Sequence, residues 1–134
     1  MAVTSAAREF VIQRTASTCE YCRVHERYAT FRYQIDHVIA RKHGGTDHPD
    51  NLAYSCVQCN RFKGSDIASL DPDSGELVFL YNPRTEQWNT HFQIDGFVIV
   101  PLTAVARATA NLLQFNQIDR LLLRQELVAQ GKYP

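Results

Sequence analysis

Four cysteines fall in two close pairs, Cys19 and Cys22 in TCEYCR and Cys56 and Cys59 in SCVQCN, and none is left over. Three chemistries use such pairs. Disulfides need an oxidising compartment, and the N-terminal stretch MAVTSAAREFVIQRT has no charged region leading into an apolar one, as an export signal would. A thioredoxin-like redox motif needs one pair after a strand, not two. Tetrahedral zinc needs four thiolates, and two close pairs supply them at a small loop-closure cost. The spacing therefore favours zinc. The ion would be structural, because sulfur fills all four positions and leaves none open for chemistry. Between the pairs lie 33 residues, longer than the spacers of compact zinc ribbons, so a folded segment must sit there. That segment holds Asp36-His37, a carboxylate followed directly by an imidazole, and Asn51; Asn60 comes directly after Cys59. A neutral imidazole can take up a proton near neutral pH.

These residues need elements to hold them. FRYQIDHV alternates apolar and polar, which predicts a strand over about Tyr28 to Ile35 that ends at the Asp-His pair. In an unbroken strand the two side chains would point to opposite faces. RKHGGTDHPDN is a loop by its Gly, Pro, Asp and Asn content. LAYS reads as a second short strand, antiparallel to the first, and CVQCNRFKG turns through the second cysteine pair into a helix that Gly64 ends. Ahead of this core, Ser5 to about Arg14 reads as a helix with Phe10, Val11 and Arg14 near one stripe. Behind it, LDPDSGE reads as a plain turn rather than a calcium loop, because it lacks the spacing of calcium ligands. ELVFLYN and WNTHFQI read as strands joined across PRTEQ, with Trp88 anchoring that hairpin, and FVIVP as a third strand. Thr103 is the expected N-cap of a helix to about Gln114, with Val105, Thr109, Leu112 and Leu113 on its inner stripe. A last helix, about Gln117 to Gln130, should bury Ile118, Leu121, Leu122 and Val128.

In order along the chain, CEYC, IDHVIARKHGG, DNLAYSC and CVQCNRFKG resemble the HNH endonucleases of the zinc-knuckle branch. The likeness runs from about Cys19 to Gly64. It implies an α+β protein with a ββα-metal core, stapled by the Cys19, Cys22, Cys56 and Cys59 zinc site and flanked by an N-terminal helix and a C-terminal hairpin with helices. It also implies roles: His37 as general base, Asn51 orienting the imidazole, and Asp36 and Asn60 as ligands of one catalytic divalent cation. One carboxylate and one amide oxygen form a hard, sparse donor set, which suits Mg²⁺ or Mn²⁺. The implied reaction is hydrolysis of DNA phosphodiester bonds, leaving 5′-phosphate and 3′-hydroxyl ends. Residues 1–134 are expected to form one domain, with 19–64 as its core and 65–134 as support.

Net charge is zero, so any affinity for DNA must come from a local cluster. Through Gly64 there are nine Lys or Arg against six Asp or Glu; from Ser65 there are five against eight. Arg41, Lys42, Arg61 and Lys63 flank the two ends of the motif and are the candidate DNA contacts; Lys63 is one helical turn from Asn60. No apolar run approaches the roughly 20 residues that span a bilayer, so a cytoplasmic protein with no membrane contact is expected. Two further readings stay open: a zinc-stabilised module that binds nucleic acid without cutting it, and a homodimer or protein partner that supplies targeting.

Overall fold

The computed structural model describes residues 3–134. The fold is α+β, with five α-helices and three two-stranded antiparallel sheets among the described residues. The chain divides into two compact units, Met1–Ile67 with Asn82–Thr85, and Ala68–Tyr81 with Glu86–Pro134.

In the first unit, α1 spans Ser5–Thr15, with the Thr4 side chain accepting from the Ala7 N–H to cap it. Val11 is its buried residue, whereas Phe10 is exposed. Arg14 lies along β2 (Leu52–Ser55) and donates to the Leu52 carbonyl at 2.7 Å. Every residue of β2 is buried. β2 pairs with β1 (Gln34–His37) in a register running from Gln34 opposite Ser55 to His37 opposite Leu52. α2 (Val57–Lys63) follows the second cysteine pair and ends at Gly64, whose φ of 53° lies in the left-handed region.

The first strand therefore starts later than its alternation suggests. Phe31 and Arg32 are exposed, and residues 26–28 form a short 3-10 turn. The reason lies in the partners. The Glu26 carboxylate takes the Tyr33 N–H at 2.7 Å, and the Tyr33 hydroxyl donates to the Val24 carbonyl. The opposing strand meanwhile stops at Ser55, where the cysteine turn begins, so residues before Gln34 have no ladder to join.

The second unit departs further from expectation. β4 (Leu77–Phe79) pairs with β3 (Ala68–Leu70) across the DPDSGE turn, not with the segment after PRTEQ. Trp88–His91 form a short helix, α3, and β5 (Phe92–Asp95) pairs with β6 (Val98–Pro101). Trp88 is buried against Phe92, their rings 5.1 Å apart. α4 (Ala104–Leu112) is capped by Thr103, as its sequence predicts. α5 (Ile118–Ala129) turns a different face inward: Arg120, Arg124 and Leu127 are buried, while Ile118 and Leu122 are exposed. The two arginines serve backbone carbonyls and, for Arg124, one side-chain amide oxygen as well. Arg120 donates to the Leu113 carbonyl at 2.6 Å, and Arg124 to the Phe97 carbonyl at 2.8 Å and to the Asn116 amide oxygen at 2.8 Å. Carbonyls at the end of α4 lack helical partners, and a buried guanidinium satisfies them.

Candidate active site

The four cysteines, 34 or more residues apart across the two pairs, converge. Their Sγ atoms all lie within 4.8 Å of one another and are buried, and Cys22 and Cys56 approach to 3.9 Å. Four sulfurs around a zinc at about 2.3 Å would lie about 3.8 Å apart, so the donors fit a tetrahedral ion in type, number and spacing. Backbone N–H groups of Cys22 and Cys59 point at the sulfurs of Cys19 and Cys56, at 3.5 and 3.3 Å. Burial pushes the Cys19 and Cys59 thiols well up, and the neighbouring sulfurs add to it. A dication is what lets such a cluster ionise.

Tyr21 sits within the first cysteine turn and ties it to the hairpin. Its hydroxyl donates to Asp36 Oδ2 at 2.6 Å. Asp36 is 3% exposed. From α2, the Lys63 ammonium reaches both carboxylate oxygens, at 3.3 and 3.2 Å, and also the carbonyls of His37 and Val38, at 3.2 and 3.0 Å. One turn earlier on α2, the Asn60 amide donates to the Gln34 side chain. Gln34 and Asp36 share one face of β1, and Asn60 and Lys63 share one face of α2, so strand and helix meet in two rungs. Burial raises the Asp36 carboxyl above its ordinary range; Lys63 and Tyr21 pull in the other direction and do not cancel it.

His37 turns elsewhere. The pleat is intact through the pair, with Asp36 opposite Ala53 and His37 opposite Leu52. The imidazole Nε2 lies 2.8 Å from Asp47 Oδ1. Arg41 Nε donates to the same carboxylate oxygen at 2.9 Å, and its Nη2 lies 2.8 Å from it in an ion pair. These two partners, His37 first, hold the Asp47 carboxyl below its usual range. Asn51 does not touch the ring among its hydrogen bonds. Its oxygen accepts from the Ile39 N–H at 2.9 Å, and its amide donates to the carbonyls of Ile39 and Thr46, at 2.9 and 2.8 Å. The loop so pinched brings Gly45 against Ile39, where a Cβ would come within 1.6 Å of the Ile39 carbonyl oxygen. Only glycine fits there.

Residues 19–66 match the HNH endonuclease family model. The four-sulfur cluster fits the zinc-knuckle branch of that family. Searches of curated proteins and of solved structures gave no match. No helix among the described residues is long and apolar enough to cross a membrane.

Within the HNH segment, the expected basic residues separate. Lys42 and Arg61 are exposed. Arg41 is half-exposed but committed to Asp47. Lys63, expected to meet phosphate, is 2% exposed and enclosed by three acceptor groups, so its charge faces the protein. Asp47 and Tyr21 are the site's partners that sequence reading overlooked. Asp47 passes for one more turn residue in GGTDHPDN, and Tyr21 for a packing aromatic. The single available signal was that Tyr21 lies between two metal-type cysteines.

Proposed function

We propose that the protein is a metal-dependent DNA endonuclease of the HNH type. The observation that carries this reading is the convergence, within residues 19–66, of the Asp36-His37 strand and the Asn60 helix upon a four-sulfur cluster. His37 would act as general base, taking the proton from the attacking water. Asp36 and Asn60 are the oxygen donors that would hold the catalytic Mg²⁺ or Mn²⁺: the Asn60 amide oxygen carries no hydrogen bond among the described residues, whereas Asp36 would have to exchange Lys63 for the ion. When bound, the cation supplies positive charge at the phosphoryl oxygen and at the leaving 3′ oxygen. Hydrolysis would then leave 5′-phosphate and 3′-hydroxyl ends. Lys42 and Arg61, both exposed, are the cations that would hold the phosphate backbone. Asn51 acts on His37 through the loop rather than on the ring.

A plasmid assay tests this. Wild type should nick supercoiled DNA with Mg²⁺ or Mn²⁺ and lose that activity in EDTA. His37→Ala should cut roughly 10²–10⁴-fold more slowly while keeping its zinc. If wild type binds DNA but leaves it intact with every divalent ion offered, the non-cutting binding module is the better reading. The hold of Lys63 on Asp36 is the feature that would then explain it.

A further inference from the structure

The loop between the two strands ends in a device that the assigned residues do not include. Asp47, ten positions after His37, faces the imidazole, and Arg41 meets the same carboxylate oxygen that the ring does. A carboxylate shared by a guanidinium and an imidazole accepts from both, so the proton on the ring must sit on Nε2. A neutral imidazole carries one N–H, which leaves Nδ1 with its lone pair. Asp47 is itself held by the loop: Asn51 closes the backbone from Ile39 to Thr46, and Gly45 packs so closely on the Ile39 carbonyl that no side chain fits between them. The order of support is therefore Asn51 to loop, loop to Asp47, Asp47 to His37.

We propose that Asp47, braced by Arg41, is a positioning residue that selects the Nε2–H tautomer of His37 and makes Nδ1 the nitrogen that takes the proton from water. This rests on the nuclease reading of His37. It also changes what Arg41 is for. Read from its charge, Arg41 grips DNA; read from its partners, it holds a carboxylate still. Losing Arg41 then lowers turnover and spares DNA affinity, whereas losing exposed Lys42 weakens affinity.

The test joins a spectroscopic and a kinetic measurement on the full zinc-loaded chain. In ¹⁵N-resolved NMR of the imidazoles, His37 of wild type should be the Nε2–H tautomer near neutral pH, and Asp47→Ala should show a tautomer mixture. In plasmid cleavage, Asp47→Ala should lose roughly 10–100-fold, the range for partners that orient a functional histidine, in kcat and not in KM. Asp47→Glu, which keeps a carboxylate, should recover part of it, and Arg41→Gln should show a smaller fall, again in kcat. Zinc content and melting temperature check that each variant is folded. An unchanged His37 tautomer in Asp47→Ala would overturn the proposal, and so would a loss confined to KM. If wild type does not cut DNA at all, the nuclease reading fails by itself, and the tautomer measurement still decides whether Asp47 governs His37.

Discussion

Asp36 and Asp71 are both sealed from water, at 3% and 0% exposure, yet the two units treat them oppositely. Asp71 receives the full fork of Arg107, Nε on one oxygen and Nη2 on the other, each at 2.8 Å. The Ser74 hydroxyl adds a bond at 2.7 Å and the Asp73 N–H another at 3.1 Å. With those donors, Arg107 first, its carboxyl lies far below the usual range. Asp36 has one hydroxyl and one ammonium, and that ammonium is shared with two carbonyls. Its burial is not fully compensated, and its carboxyl is pushed up. Closure to solvent alone therefore does not set the charge state: Asp36 lies deep, where desolvation dominates, whereas Asp71 lies just beneath the surface, where its donors dominate. Asp71 closes its turn with both oxygens taken by Arg107, Ser74 and the Asp73 N–H. Asp36 has fewer donors than Asp71, and its one cation, Lys63, is divided among three acceptor groups.

Three measurements break or sharpen that contrast. The largest effect should come from zinc. Structural zinc contributes roughly 10–16 kcal/mol in small peptides, against a total domain stability of about 5–15 kcal/mol. Chelation, or Cys59→Ser, should unfold the unit that holds Asp36. Trp88, the only tryptophan, reports on the other unit. If its fluorescence changes in the same transition, the two units unfold as one domain; a separate transition would mean that Asp71 and its turn survive alone.

Next comes Lys63→Met. It leaves Asp36 buried without its cation, which should cost about 3–5 kcal/mol in denaturant unfolding. Millimolar Mn²⁺ should then restore more stability to the variant than it adds to wild type, because metal and ammonium compete for one carboxylate. Equal Mn²⁺ effects in both would count against Asp36 as a metal ligand.

The smallest effect is a pH dependence at Asp71. Its folded pKa is depressed, so the Arg107 pairing contributes stability above the ordinary carboxyl value, near 3.9, and loses it as pH falls from there towards the folded value. Arg107→Gln should therefore melt below wild type at neutral pH, read by Trp88 fluorescence, and the gap should close as pH drops below about 4. Asp36 has the opposite sign: its burial penalty is absent when protonated and grows as pH rises through the unfolded and then the folded value. A gap for Arg107→Gln that widened in acid would contradict the assignment of the two carboxylates.

Much of this was legible along the chain because it depends on near neighbours. Cysteine spacing is a local property, and it predicted a four-sulfur cluster whose atoms do converge. Gly64 after α2 and Thr103 before α4 act on the adjacent turn, so residue type suffices to read them. The LAYS strand and its antiparallel pairing follow from a short apolar run between turn signals. Where acceptors came from distant segments, pattern reading lost its hold. Arg120 and Arg124 look like solvent-facing charges until the carbonyls of Leu113 and Phe97 are seen to need donors. Ile118 and Leu122 look like core until those arginines take the inner face.

The amino-acid order by itself determined which donors exist: four thiols in two pairs, an acid beside an imidazole, and an amide directly after the last cysteine. Only the folded chain decided who answers whom, because hydrogen-bond partners are chosen by proximity in space and by the cost of leaving a buried group unpaired. That is why Lys63 faces inward to Asp36, and why the imidazole of His37 is met by Asp47, whose side chain in the bare sequence is one polar turn residue among several.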